Sequence, residues 1–230
     1  MQGKFDVRIF NTYAVRQSHI KVKKILKEIK LPCLLIIGYI IFLIITTITH
    51  ELGHYIVAKI YGYDAVLHYN MTEVSYINSQ NGSNQAHSFW ITLAGSIQAM
   101  VFGVIGIITL YKKKIFFKEA NKLRIRQWII IFFSLSFLTY TINFFFWMIV
   151  YTNTFSLEIK PDEVRIAEYL KIPAELILLI LAIIGILSFR YVVKYCIPKK
   201  IKTVLILSIF IAYFLFFPIW MKLLGPLILP

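Results

Sequence analysis

Apolar residues fall in long runs along this chain, without the two-residue alternation of a half-buried strand. Each run has about 19 residues or more, enough for a helix to cross the hydrocarbon core of a bilayer. Five spans are predicted, at about 31–60, 88–110, 127–150, 173–195 and 203–224. Because the runs fill the chain, we predict an all-α polytopic membrane protein with a single membrane-embedded domain, residues 31–230.

Residues 1–30 form a polar, basic segment ahead of the first apolar run. They are too polar for the apolar core of a signal peptide, so we expect the first run to act as an uncleaved anchor. Val22, Ile25, Leu26 and Ile29 share one helical face in this segment, which favours a helix lying along the membrane surface. A solvated basic arm is the alternative.

Lysine and arginine are distributed unevenly among the segments that connect the spans. They number eight in residues 1–30, zero in 61–88, seven in 111–126, three in 151–172 and five in 189–202. Cytoplasmic connections carry more basic residues, so this alternation predicts a cytoplasmic N-terminus and an odd number of spans. The net charge of +14 therefore indicates contact with anionic lipid headgroups and argues against nucleic acid as a partner.

The segment between the first two spans, residues 61–88, is polar and contains neither lysine nor arginine. Its first half, DAVLHYNMTEVSYI, is rich in β-forming residues, and Asn81-Gly82 is a strong signal for a tight turn. We predict a small β-hairpin at the outer membrane surface, between the first and second spans. A disordered loop is the alternative, because the second half of the segment is very polar.

The sequence HELGH, residues 50–54, brings three ionisable side chains close to the end of the first span. Residues i and i+4 of a helix share a face, so His50 and His54 can direct both imidazoles to one point. Glu51 completes the H-E-x-x-H signature of a zinc site, in which the glutamate is general base and then general acid. The alternative, a structural histidine pair, would leave costly polar groups in the membrane.

A catalytic zinc ion needs a third protein ligand and an open coordination position. His50 lies near the outer end of the first span, and the connection after the third span, residues 151–172, is on the same side. This connection offers four carboxylates as candidates: Glu158, Asp162, Glu163 and Glu168. Composition alone does not choose among them.

The stretch HELGHYIVAKIYGY resembles the first motif of the site-2 protease family of intramembrane zinc metalloproteases. In that family a β-hairpin follows this helix, and a second motif, often Asn…Pro-x-Asp-Gly-Gly-Arg-Ile-like, carries an aspartate ligand. The sequence NTFSLEIKPDEVRIAEYL is similar to it through Asn153, Asp162, Arg165 and Ile166. The resemblance implies that Asp162 is the third zinc ligand.

The second motif departs from the family pattern at two positions. Glu163 and Val164 stand where the family has two glycines, so the backbone there must differ. Glu163 also becomes a rival to Asp162 as the third ligand. The alternative for Asp162 is a loop carboxylate with no metal to bind.

A third segment, LAGSIQAM, resembles the Ala-Gly-Pro-x-x-Asn stretch that the family carries in its next span. Ala94 and Gly95 match, Ser96 replaces the proline, and Ala99 takes the asparagine position with Gln98 beside it. Gln98 is therefore a candidate for substrate binding. Small residues here also permit close helix packing, which is the alternative role of the segment.

Two asparagines are further candidates for substrate contact. Asn153 holds the position of the family's asparagine, and Asn143 is an amide within the third span. Asn143 can contact a substrate backbone or form an interhelical hydrogen bond. His68 and His87 lack any ligand spacing, so we expect surface or hairpin roles for both.

Taken with the resemblance, the motif predicts an integral membrane zinc metalloprotease with one Zn²⁺ per chain, acting on a membrane-associated peptide or protein. The same chemistry suits the release of a membrane-tethered regulator or the trimming of a small exported peptide. A zinc-binding, non-hydrolytic transport or immunity component is the alternative from another class, and it has no need of Glu51. We expect a bacterial cytoplasmic membrane, with the active site nearer the outer face.

Overall fold

The structure is a computed structural model that describes most of the chain. It describes residues 7–75, 85–112, 124–154 and 160–230, with the side chains of residues 7–28 and 150–154 outside the description. The described part is mostly helical, with one small antiparallel hairpin between the first two long helices. The predicted helical architecture and the predicted position of the hairpin between the first two long helices are therefore confirmed.

The first helix, α1, is Val7–Ile60, and it is continuous across residue 30. From residue 7 onward, the basic segment is therefore helical and continues directly into the first predicted span. Pro32 lies inside this helix. The part from Ile29 to Ile60 is long and apolar enough to cross a membrane.

Three further long helical segments meet the same criterion within the described residues. The first is α2, Gln85–Lys112. The second is α6, Ala174–Tyr191, which continues as a π-helical turn, Val192–Cys196. The third comprises α7, Lys199–Phe216, the π-helical segment Phe217–Leu224 and α8, Gly225–Ile228. Pro218 lies at the beginning of this π-helical segment, where it interrupts the regular helix.

The third predicted span, 127–150, is not one straight helix. It consists of α3, Ile125–Ser134, and α4, Leu138–Thr154, and the apolar parts of the two are bent by 42°. The hydroxyl of Ser134 donates to the carbonyl oxygen of Ile131 at 2.7 Å, and this bond competes with the regular ladder of the helix. Counted as one broken span, the pair brings the number of candidate spans to five.

A short helix, α5, Asp162–Leu170, lies between the third and fourth spans. Pro161 precedes it, and two carboxylates occupy its first turn, where the helix dipole favours negative charge. Glu163 and Val164, which replace the two glycines of the family pattern, are ordinary helical residues here. The helix ends at Lys171, in the left-handed conformation, just before the next span.

Packing in the bundle joins α1 to α2 and α7, α2 to α3 and α5, and α4 and α5 to α6. The largest buried cluster lies around Tyr39 of α1, whose ring meets Phe132 of α3 and Tyr213 of α7 edge to face. Many large apolar side chains on the outer surface remain exposed, as expected where lipid is the solvent.

The hairpin consists of β1, Ala65–Leu67, and β2, Thr72–Val74, paired antiparallel. Its turn is formed by residues 68–71 and not by Asn81-Gly82, which lies outside the described residues. Ala65 and Val74 pair and are buried against Ala58 of α1 and Ile91 of α2. This small apolar cluster holds one face of the hairpin against the helices.

The ends of the first, third and fifth spans meet at one end of the bundle. Asp162, after the third span, contacts His50 near the end of the first. The backbone of Tyr69, after the first span, bonds to Leu229 after the fifth. These three connections therefore lie at the same end of the helical bundle.

Candidate metal centre

A cavity of about 560 Å³ opens where α1, the hairpin, α2, α4 and α5 meet. His50, Glu51 and His54 line it from α1, and Asp162 and Glu163 line it from α5. One ligand atom from each of the three α1 residues lies within 4.8 Å of the others. The cavity thus brings together residues from two segments that are far apart in the chain.

Three atoms form a tight triangle at the base of the cavity. The Nε2 atoms of His50 and His54 are 3.2 Å apart. Oδ2 of Asp162 lies 3.0 Å from the first and 2.9 Å from the second. Two nitrogens and one carboxylate oxygen therefore converge on a single point.

The shape of this triangle fits a tetrahedral metal ion. Ligand atoms at about 2.0–2.1 Å from such an ion lie roughly 3.3 Å apart, close to the observed edges. Two imidazole nitrogens and a carboxylate oxygen are also a usual ligand set for zinc. A cation shared among these atoms, either a metal ion or a proton on an imidazole, makes such a close cluster favourable.

The ring of His54 is held in the orientation that a metal ligand needs. Its Nδ1 is 2.6 Å from the carbonyl oxygen of Ile91 on α2, and a carbonyl can only accept, so Nδ1 carries the proton. The Nε2 lone pair then faces Asp162 and His50. Such outer hydrogen bonds fix the tautomer and orientation of metal-ligating histidines.

Gly95 of α2 lies directly under both imidazoles. A Cβ built on it would stand 2.3 Å from Nε2 of His54 and 2.9 Å from Cε1 of His50. No side chain fits at such distances, so glycine is what allows α2 to approach the site closely. Gly95, a small residue of the LAGSIQAM segment, therefore leaves space for the two imidazoles in addition to permitting close helix packing.

Glu51 is buried, with 7% of its surface exposed, and it is tied to the hairpin. The hydroxyl of Thr72 on β2 lies 2.8 Å from the backbone carbonyl oxygen of Glu51 and 3.1 Å from its Oε2. This leaves the second carboxylate oxygen to accept a proton. The sequence analysis did not single out Thr72, because a lone threonine in a predicted strand carries no signal of its own.

Asp162 and Glu163 differ in their surroundings. Burial raises the pKa of Asp162, but its close contacts with the imidazoles of His50 and His54 outweigh this effect and hold that pKa below its usual range. Burial raises the pKa of Glu163, and the negative charge of Asp162 raises it further. Since a metal binds the deprotonated form, Asp162 is the better ligand on electrostatic as well as geometric grounds.

The candidates for substrate contact fall in different places. Asn143 of α4 is exposed and lines the cavity. Gln98 is directed to α1, where its amide nitrogen donates to the Thr49 hydroxyl at 2.7 Å, and it does not line the cavity. The side chain of Asn153 lies outside the description.

The two other histidines of the outer segment do not line the cavity. His68 contacts the backbone of Pro230, and His87 stacks on the ring of Tyr61 with centroids 4.0 Å apart. His68 thus contacts the C-terminal segment, and His87 contacts a ring beside the hairpin. These positions agree with the surface or hairpin roles expected for both.

Comparisons with protein-family models, curated proteins and solved structures find no match to this chain. The interpretation of the site therefore rests on the geometry of its own residues.

Replacing Gly95 with alanine is expected to weaken metal binding about 10- to 100-fold, the range seen when the outer support of a ligating histidine is lost. The new methyl group has to displace the His54 ring. Zinc content and affinity of the purified protein measure this. Ile97→Ala, at an exposed position of the same helix, is the matched control and should retain zinc. Full zinc affinity in Gly95→Ala would contradict the arrangement.

Asp162→Asn is expected to remove most bound zinc, because it takes away the only negative charge that contacts both imidazoles among the described residues. Glu163→Gln should keep it, since an amide has nearly the shape of the protonated acid. Elemental analysis of the two variants beside the wild type makes the comparison. If Glu163→Gln lost the metal and Asp162→Asn kept it, the assignment of the third ligand would be wrong.

Proposed function

We propose that this chain is an integral membrane zinc metalloprotease that hydrolyses peptide bonds, related in mechanism to the site-2 family that its motifs resemble. One observation carries the proposal. His50, His54 and Asp162 converge on one point at the base of an open cavity, with the carboxylate of Glu51 beside them. A metal-binding role accounts for the convergence of His50, His54 and Asp162. A hydrolytic role also accounts for the position of Glu51 beside them.

The roles follow from the atoms present. His50, His54 and Asp162 are the residues that would hold the ion. When bound, zinc supplies Lewis-acid polarisation of the scissile carbonyl and lowers the pKa of water. Glu51 takes the proton of the attacking water and later gives it to the leaving amine. Thr72 fixes the Glu51 carboxylate so that this transfer needs no rearrangement of the side chain.

The substrate is an extended peptide from a membrane-anchored or membrane-associated protein. A helix buries its own carbonyl groups, so the cleaved segment has to unwind before hydrolysis. The hairpin forms one wall of the cavity, which residues 70–74 line. By the charge distribution of the connections, we place this end of the bundle near the outer face of a bacterial cytoplasmic membrane.

The backbone of β2 suits binding of an extended peptide. His68 N–H donates to Met71 O at 2.9 Å, and Ser75 N–H donates to Asp64 O at 2.9 Å. By antiparallel alternation, the N–H and C=O groups of Thr72 and Val74 point away from β1. Within the described residues no third strand pairs with that edge. A peptide added there lies next to Glu51 and the ligand triangle.

Glu51→Gln is expected to lower kcat by about 10²- to 10⁴-fold, the usual contribution of a general base, while zinc stays bound. The substitution keeps the size of the side chain and its bond from Thr72 but removes the proton acceptor. The measurement is cleavage of candidate membrane-associated substrates in detergent or vesicles, with zinc content determined on the same samples. An unchanged biological activity in this variant would favour the non-hydrolytic zinc protein instead.

Strand addition to β2 is tested on the substrate side. Single N-methylation along any peptide that the wild type cleaves should impair cleavage at alternate residues, because only every second amide faces the β2 edge. The unmethylated peptide is the reference. Equal tolerance of N-methylation at all positions around the scissile bond would show that the peptide binds in another way.

A further inference from the structure

The last helical segment of the chain reaches back to the turn of the hairpin. The indole N–H of Trp220 donates to the carbonyl oxygen of Tyr69 at 3.2 Å. The backbone N–H of Tyr69 donates to the carbonyl oxygen of Leu229 at 3.1 Å. His68 Nδ1 contacts the carbonyl oxygen of Pro230. Two consecutive residues of the turn are thus bonded to three residues of the C-terminal segment.

Packing supports these hydrogen bonds. Trp220 is only 1% exposed, and its ring meets that of Tyr69 at an angle of 78° with centroids 6.4 Å apart. Gly225 lies against the same tyrosine, and a Cβ built there would stand 2.4 Å from its Cδ2. A buried tryptophan has a single donor to satisfy, and here that donor is used on the hairpin turn.

The turn is directly connected to the proposed active site. Thr72 follows Tyr69 by three residues, and its hydroxyl bonds to the backbone and side chain of Glu51. A two-stranded hairpin is only marginally stable by itself in water. At its strand end this one is held by the cluster of Ala65 and Val74 on the helices. At its turn end, it is held by the C-terminal segment.

We propose that the segment from Trp220 to Pro230 acts as a clamp that positions the hairpin, and through Thr72 the catalytic Glu51. Trp220 and Gly225 are positioning residues, since neither lines the cavity. This inference rests on the proposed function for its effect on catalysis, but its effect on the hairpin does not. It also gives the fifth span a role, which its apolar sequence does not reveal.

The clamp is separate from the metal ligands. In the part of the chain that the structure describes, no hydrogen bond or ion pair joins the segment from Trp220 to Pro230 to His50, His54 or Asp162. Loosening it should therefore disturb Glu51 and the edge of β2 without releasing zinc. A purely structural role predicts something else, namely a loss of stability with normal turnover in the molecules that remain folded.

The central test is Trp220→Phe, which keeps an aromatic ring but removes the N–H donor to Tyr69. We expect kcat to fall about 3- to 10-fold, in keeping with the loss of one hydrogen bond, with zinc content unchanged. We also expect faster hydrogen exchange at the backbone amides of residues 68–74. Gly225→Ala should act in the same direction, because its methyl group displaces the Tyr69 ring.

Two matched controls separate the clamp from general effects. Trp128→Phe makes the same change in the cluster around Tyr39, away from the hairpin, and should leave exchange at residues 68–74 as in the wild type. Tyr69→Phe keeps the ring and the backbone that the clamp uses, so it should also leave hydrogen exchange at residues 68–74 as in the wild type. Tyr69→Ala, which removes the ring, should resemble Trp220→Phe.

Hydrogen exchange distinguishes failure of this inference from failure of the proposed function. If the wild type cleaves no peptide but Trp220→Phe still loosens residues 68–74, the protease assignment fails and the clamp stands. If exchange at residues 68–74 is unchanged in Trp220→Phe and in Gly225→Ala, the clamp is refuted, whatever the activity. Loosened amides with an unchanged kcat would refute the link to Glu51.

Discussion

The contact of the Asp162 carboxylate with the imidazoles of His50 and His54 joins two parts of the chain that are 112 residues apart. It requires the end of α1 and the beginning of α5 to meet at the same end of the bundle. The short helix α5 makes this possible, because Pro161 precedes it and its first residue is Asp162 itself. The close approach of α2 completes the arrangement, since the Ile91 carbonyl orients one imidazole. The fold and the cluster are thus consequences of the same packing.

The hairpin connects this cluster to the surroundings of the protein. One of its faces is buried on the helices, residues 70–74 line the cavity, and one hydroxyl reaches Glu51. A single small element therefore contributes both to the wall of the cavity and to the position of Glu51. Such an element has little stability of its own, so its position depends on what holds it at both ends. In this chain those supports come from opposite ends of the sequence, from α1 and from the segment after α7.

Much of this could be read from the sequence, and the reasons are physical. Runs of apolar residues reveal helices that are long and apolar enough to cross a membrane, because a bilayer demands length and hydrophobicity in every span. The spacing of His50 and His54 predicts their common face. The features that the sequence did not predict depend on tertiary contacts. The break at Ser134, the hairpin turn at residues 68–71 and the bond from Thr72 have no periodic signal, and the choice between Asp162 and Glu163 rests on which carboxylate faces the imidazoles.

Gly95 has a consequence for how such sequences are interpreted. The space above its Cα is occupied by the rings of both histidines, so the second helix can carry no larger residue without forcing them apart. A chain that has the H-E-x-x-H pattern in one span but a bulky residue at the equivalent position of the next cannot bring its imidazoles together in this way. The absence of a side chain at this position of the neighbouring helix therefore decides whether two histidines with this spacing can converge on one point.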